Sequence, residues 1–92
     1  MRLSGEIDVS GVPHVRRSLD ASLGDGGDVI VDAADVSFID VEGCRAIAET
    51  ASRLTGERRL VLRGAPPQLV RVLTICGWDR SPHLEVIPRE AP

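Results

Sequence analysis

The sequence VSFIDVEGC, residues 36–44, joins an apolar run to a stretch with helical periodicity. The apolar run ends at Asp40, and a second carboxylate follows at Glu42. The unpaired backbone N–H groups and the dipole of a helix N-terminus favour negative charge there. The pattern therefore predicts a strand that runs into a helix N-terminus, and it places the candidate functional surface at this junction.

Short apolar runs alternate with helix-periodic stretches along the rest of the chain. The predicted strands are residues 3–9, 29–31, 60–62 and 84–87, and the predicted helices are residues 12–23, 42–54 and 66–76. Gly77 is predicted to cap the last helix in the left-handed conformation. Residues 32–35 are expected to form a connection, and three successive apolar residues at 29–31 predict a strand covered on both faces. The alternation predicts an α/β fold in which helices flank a four-stranded, parallel or mostly parallel sheet.

Length and composition fit one small domain over residues 1–88, followed by a loose tail at residues 89–92. The net charge of −3 predicts no basic footprint for nucleic acid or an anionic membrane, and the absence of lysine excludes lysine-based phosphate binding and Schiff-base chemistry. One Phe, one Trp and no Tyr supply no platform for stacking bases. The chain shows neither a signal-peptide core nor a run of membrane-spanning length, so a cytoplasmic protein is expected.

The two cysteines, Cys44 and Cys76, have no metal-ligand spacing, and both fall on predicted inward helix faces. Reduced, buried thiols are therefore favoured over a disulfide. No phosphate-binding glycine loop follows a predicted strand, so no cofactor is expected. His14 and His83 lie in no nucleophile pattern and are interpreted as surface residues.

Asp40 and Glu42 form a carboxylate pair, so acid–base catalysis has to be weighed against a structural role. The structural alternative is that Asp40 caps the helix and Glu42 complements its dipole, each contributing about 0.5–1 kcal/mol. No facing base or metal partner accompanies the pair. The sequence therefore favours a structural or interaction role, and an enzyme is not expected.

Four segments, in order and at consistent spacing, resemble a known family. They are residues 2–9 (RLSGEIDV), residues 29–32 leading to Phe38-Ile39-Asp40, Gly43, and residues 73–79 (LTICGWD). In this set the chain resembles a STAS domain, the fold of bacterial anti-sigma factor antagonists. The resemblance implies a protein-binding module whose partner is an anti-sigma factor with a histidine-kinase-like ATPase fold. The implied contact surface is Asp40, Val41, Glu42, Gly43 and Arg45.

One departure from the family pattern lies at the position that the family phosphorylates. Where the family has Asp-Ser-Ser-Gly, this chain has Asp-Val-Glu-Gly, so Glu42 replaces the phosphorylated serine. Three hypotheses follow: Glu42 mimics the phosphorylated state, the domain binds its partner constitutively, or the domain has another interaction role. A ligand- or nucleotide-sensing or scaffolding STAS module outside a phosphorylation switch is the alternative function.

A second departure concerns the ends of the chain. Family members usually carry another strand before the segment at residues 2–9 and a helix after the last strand. Without these pieces a sheet edge and an apolar face are expected to be exposed, and a homodimer or a larger assembly would cover them.

Overall fold

A computed structural model describes residues 1–90 as four strands and three helices. In chain order these are β1 (Arg2–Ile7), α1 (Val12–Ser22), β2 (Val29–Ile39), α2 (Val41–Ser52), β3 (Leu60–Ala65), α3 (Pro67–Ile75) and β4 (Leu84–Pro88). Short 3-10 turns lie at Val9–Gly11, Leu23–Asp25 and Trp78–Arg80. The α/β fold predicted from the sequence is confirmed.

The sheet has the strand order β1-β2-β3-β4, and all neighbouring strands are parallel. Each strand is therefore followed by a helix and then by the strand beside it. Successive crossovers in one direction, each with the usual right-handed sense, bring all three helices to the same face of the sheet. In agreement, α1 contacts α2 and α2 contacts α3. The core lies between this helical layer and one face of the sheet.

The opposite face of the sheet is open, so the prediction that residues 29–31 form a strand covered on both faces is wrong. Val29 and Val31 are buried, whereas Ile30 between them is 38% exposed. The alternation of buried and exposed residues is that of a one-sided sheet. The cause is the strand order, because a sheet that grows in one direction receives every crossover helix on one side.

Strand β2 is much longer than predicted and includes the residues expected to form a connection. Its first half, residues 29–32, pairs with β3, and its second half, residues 33–39, runs beside β1. From Asp32 to Ile39 the chain advances seven residues while β1 advances only five, from Arg2 to Ile7. The two extra residues are accommodated as bulges, which break the period-two pattern by which a strand is recognised in sequence.

Candidate interaction surface at the start of helix α2

The junction of β2 and α2 is built around Asp40, as the sequence predicted. Asp40 has an extended backbone, and its Oδ1 accepts a hydrogen bond of 2.9 Å from the Glu42 N–H. Its own N–H donates to the Ile7 carbonyl at 2.8 Å, which fastens the junction to the end of β1. The predicted capping role of Asp40 is confirmed, and Glu42 lies in the first helical turn.

The second half of β2 approaches this junction without backbone pairing to β3. The backbone pairing between β2 and β3 ends at Asp32 and Arg63. The next residue of β3, Gly64, has a φ of +68°, and a Cβ built on it would lie 2.9 Å from the Ala34 Cα. Only glycine fits this conformation at such a close approach. Gly64 therefore marks the point at which the two strands separate.

The backbone groups that β3 leaves unpaired are bonded by Arg89 instead. Its guanidinium donates hydrogen bonds to the carbonyls of Ala33 at 3.0 Å and Val36 at 2.8 Å. The Arg89 N–H also donates to the Ala65 carbonyl at 2.8 Å. Arg89 was expected to lie in a loose tail, and that expectation is wrong for this residue because it is tied to two strands. Residues 91–92 of the expected tail lie outside the described residues.

Gln68 holds the last residue of β2 in the same manner. Its Oε1 accepts from the Ile39 N–H at 3.2 Å, and its Nε2 donates to the Ile39 carbonyl at 2.8 Å. Gln68 lies in the first turn of α3. The side-chain amide thus links the start of α3 to the residue that precedes the Asp40 cap, so two helices meet at the candidate surface.

A charged and aromatic row extends from the start of α2. Arg45 Nε lies 3.3 Å from the Glu42 carboxylate, and its guanidinium carbon lies 5.4 Å from the centre of the Trp78 ring. The side chains of Glu42 and Arg45 are both about half exposed. An exposed pair with this spacing contributes only about 0.3–0.5 kcal/mol. The row therefore shapes and neutralises the surface more than it stabilises the fold.

Exposed apolar side chains also lie at this end of the sheet. Val41 is 45% exposed, Phe38 is 42% exposed and Val9 is 65% exposed. Val41 opens α2, Phe38 is the second-last residue of β2, and Val9 follows β1, so all three lie where the carboxyl ends of neighbouring parallel strands meet. Ligands and partners of parallel sheets bind at this edge. Apolar groups beside a charged row are the composition of a protein-binding surface.

The candidate residue Gly43 lies behind the surface. It is buried, and a Cβ added to it would lie 2.7 Å from Ile39 Cγ1. Its place in the pattern is therefore explained by close packing of α2 on β2. Cys44 beside it is fully buried, and this burial, together with the Asp40 charge, raises the pKa of the thiol to about 12. The buried, unreactive role predicted for Cys44 agrees with this geometry.

The prediction for the second cysteine is wrong. Cys76 is exposed, because α3 ends at Ile75 and the chain then turns through Gly77, whose φ is +75°. The left-handed glycine was predicted, but the helical face was extrapolated one residue too far. Among the described residues both cysteines are free thiols.

The chain matches one known protein family over nearly its whole length. A family model described as "Mlab, STAS domain" matches residues 1–88. The chain belongs to the STAS domain family. A search of curated proteins gives no significant match. The matched span includes all four strands and all three helices of this STAS domain, and it contains each candidate surface residue.

Three residues that shape the surface of this STAS domain were not among the candidates from sequence: Trp78, Gln68 and Arg89. Trp78 is the only tryptophan and follows a predicted glycine cap, which is a signal that could have drawn attention to it. Gln68 and Arg89 carry no such signal, because each acts over about 30 residues or more in sequence.

Other types of site are also addressed by the structure. Within residues 1–90, no cluster of three or more His, Cys, Asp or Glu side chains is placed to hold a metal ion. In the same part of the chain, no helix has the length and apolar character needed to cross a bilayer.

Proposed function

We propose that this STAS domain is a protein-binding module of the anti-sigma factor antagonist type, and that it is not an enzyme. Its partner is an anti-sigma factor with a histidine-kinase-like ATPase fold, met in the cytoplasm. The observation that carries the proposal is the surface at the α2 start, where the Glu42–Arg45 pair lies at the same end of the sheet as the exposed side chains of Val9, Phe38 and Val41.

Catalysis is disfavoured because both carboxylates already have structural partners. Asp40 caps α2, and Glu42 is paired with Arg45. A general acid or base has to be free to exchange a proton with a substrate.

For Glu42 we favour constitutive binding over mimicry of a phosphorylated serine. A phosphoserine brings a charge of about −1.5 to −2, which disrupts an interface by repulsion and desolvation. Glu42 brings one negative charge, and Arg45 compensates it at 3.3 Å. Glu42 therefore adds less uncompensated negative charge than a phosphoserine would at the position where the family introduces its disruptive charge.

The binding surface is tested with purified kinase-like anti-sigma factors of the same organism, by pull-down followed by calorimetry. We expect at least one to bind. Val41→Arg, which places charge at the centre of the apolar group, should weaken that complex at least tenfold. Arg17→Glu on the exposed face of α1 is the control and should leave the affinity unchanged. If none of these anti-sigma factors binds, the proposal is wrong.

The lost switch is tested by Glu42→Ser with the partner and ATP. We expect the variant to be phosphorylated and released, and the wild-type chain to stay bound. Glu42→Ala is the control, because it removes the carboxylate without supplying a hydroxyl that can accept a phosphate. This variant should stay bound and unphosphorylated. If the serine variant behaves as the alanine variant does, the phosphorylation logic does not apply to this surface.

The alternative function, sensing of a nucleotide or another anion, would use the N–H groups at the start of α2. Two carboxylates at that position oppose an anionic ligand. Chemical-shift changes confined to residues 40–45 on addition of GTP or ATP would favour this alternative. A homodimer stays a prediction, and light scattering across a range of concentrations tests it.

A further inference from the structure

A second surface lies on the far side of α3, along an open trough of about 450 Å³. One wall is a stripe of α3 at helical spacing and the other is formed by the ends of β3 and β4. The lining residues are Pro67, Val70, Arg71, Thr74 and Ile75 on α3, with Ala65, Pro88 and Arg89 opposite them. None of the candidate residues Asp40, Val41, Glu42, Gly43 and Arg45 lines this trough, and Arg89, which supports β2, is the one residue connected with both sites.

The floor and one end of the trough are apolar and open to solvent. Ile75 is 76% exposed, the highest value among the large apolar side chains that the structure describes. The polar lining residue Thr74 is already bonded, because its hydroxyl lies 2.9 Å from the Val70 carbonyl. An exposed isoleucine that continues an apolar stripe is typical of a docking site rather than of a solvated helix face.

Two guanidinium groups flank the apolar floor without a carboxylate beside them. Arg71 forms no ion pair with any residue in the described range 1–90. Arg89 donates its side-chain hydrogen bonds to two carbonyls, which leaves its charge uncompensated. Asp79 lies beside the trough, 3.2 Å from the Thr74 hydroxyl, but the residues that line the trough carry two positive charges and no negative one, although the whole chain has a net charge of −3. This local excess of positive charge fits an acidic occupant.

The shape of the trough limits the occupant further. The α3 wall is nine residues long, which corresponds to about 13 Å at 1.5 Å per residue. That length matches two to three turns of a partner helix. Such a helix binds a groove through apolar side chains at positions i, i+3 or i+4, and i+7.

We propose that the α3 trough binds an amphipathic helix of another protein, with an apolar stripe on the floor and acidic side chains at Arg71 and Arg89. A second copy of this chain is disfavoured, because a two-fold axis would bring the same guanidinium groups together. Nucleic acid is disfavoured by the apolar floor. The proposal uses a different surface from the proposed function and does not depend on it.

The test is an NMR titration of the full chain with three synthetic peptides of fourteen residues. The first has leucine at positions 4, 7, 8 and 11 with glutamate on the other face, the second replaces each glutamate by lysine, and the third is a scrambled form of the first. We expect saturable shifts at residues 65–75 and 87–90 with the first peptide only. Binding of the other two should be at least tenfold weaker.

Two variants assign the two halves of the interaction. Ile75→Gln should lower the affinity for the glutamate peptide at least fivefold. Arg71→Glu should reverse the charge preference, so that the lysine peptide binds more tightly than the glutamate peptide. Arg17→Glu on α1 is the matched charge control and should change nothing. The proposal is overturned if the scrambled peptide binds equally well, if the shifts fall at residues 38–45, or if no shift appears at millimolar peptide.

Discussion

The two halves of β2 are held in the sheet by different means. Residues 29–32 pair with β3 in regular backbone register, from Val29 with Leu60 to Asp32 with Arg63. Residues 33–39 diverge from β3, carry two extra residues against β1, and are bonded on the free side by Gln68 and Arg89. The first half of the strand is therefore held by backbone hydrogen bonds to β3, and the second half is held on that side by hydrogen bonds from side chains.

This difference separates the part of the strand that makes the core from the part that presents the surface. A regular ladder fixes residues in a plane with its neighbours, whereas a bulged segment can aim the chain elsewhere. The second half uses this freedom to bring Phe38 and Asp40 to the edge of the sheet. The cost is dependence on two side chains that lie far away in sequence, and each can be removed singly.

The largest effect is expected where the two halves divide. Gly64→Ala places a Cβ at 2.9 Å from the Ala34 Cα and forces alanine into a positive φ, so the free energy of unfolding should fall by about 3 kcal/mol or more. Urea denaturation measures this value. Gly56→Ala has a similar φ of +64° but open space around the new methyl group, and it should lose only about 1 kcal/mol. Equal losses in both variants would show that the close approach is unimportant.

The next effect is expected at the support of the second half. Arg89→Met removes the donors to the Ala33 and Val36 carbonyls, and unpaired buried acceptors should lower the free energy of unfolding by about 2–3 kcal/mol. Arg71→Met is the matched control, since Arg71 forms no ion pair with the described residues, and it should change stability by less than about 0.5 kcal/mol. A small loss for Arg89→Met would mean that the second half holds its position through β1 alone.

A smaller effect is expected at the end of the strand. Gln68→Met keeps most of the side-chain volume but removes both hydrogen bonds to Ile39, at a cost of about 1–2 kcal/mol. Amide hydrogen exchange should become faster at Ile39 and stay unchanged at Val31, in the first half. Faster exchange at both residues would contradict the independence of the two halves.

The last effect, which is absent at neutral pH, concerns α2, which the second half of β2 leads into. Burial raises the pKa of the Cys44 thiol from 9.0 to about 12, so above pH 9 the unfolded chain loses this proton before the folded chain does. The folded state then binds more protons, and stability should fall as pH rises from about 9 to about 12. Denaturation curves of the wild type and Cys44→Ala, measured across this range, should show a steeper fall in the wild type. If the free energy of unfolding fell equally with pH in both proteins, the Cys44 thiol would not be shielded from water in the folded state.

The parts of this STAS domain that sequence predicted share a local cause. The Asp40 cap, the left-handed Gly77 and the apolar stripes of the helices each depend on residues within about one helical turn. The parts that it missed depend on distant partners. Asp32 and Asp35 were interpreted as a connection because polar residues interrupt the pattern, yet β1 pairs with both of them. The exposure of Cys76 was missed because the end of α3 is decided by how the chain turns towards β4.

Sequence by itself determined the number and order of the helices, the α/β class, the helix start at Asp40 and the resemblance to STAS domains, since each follows from local periodicity or a short motif. Tertiary structure alone decided that the sheet is open on one face, because one-directional growth places every helix on the other. It also decided that Gln68 and Arg89 hold the second half of β2, because hydrogen bonds over such separations form only when folding brings α3 and the end of β4 beside that strand.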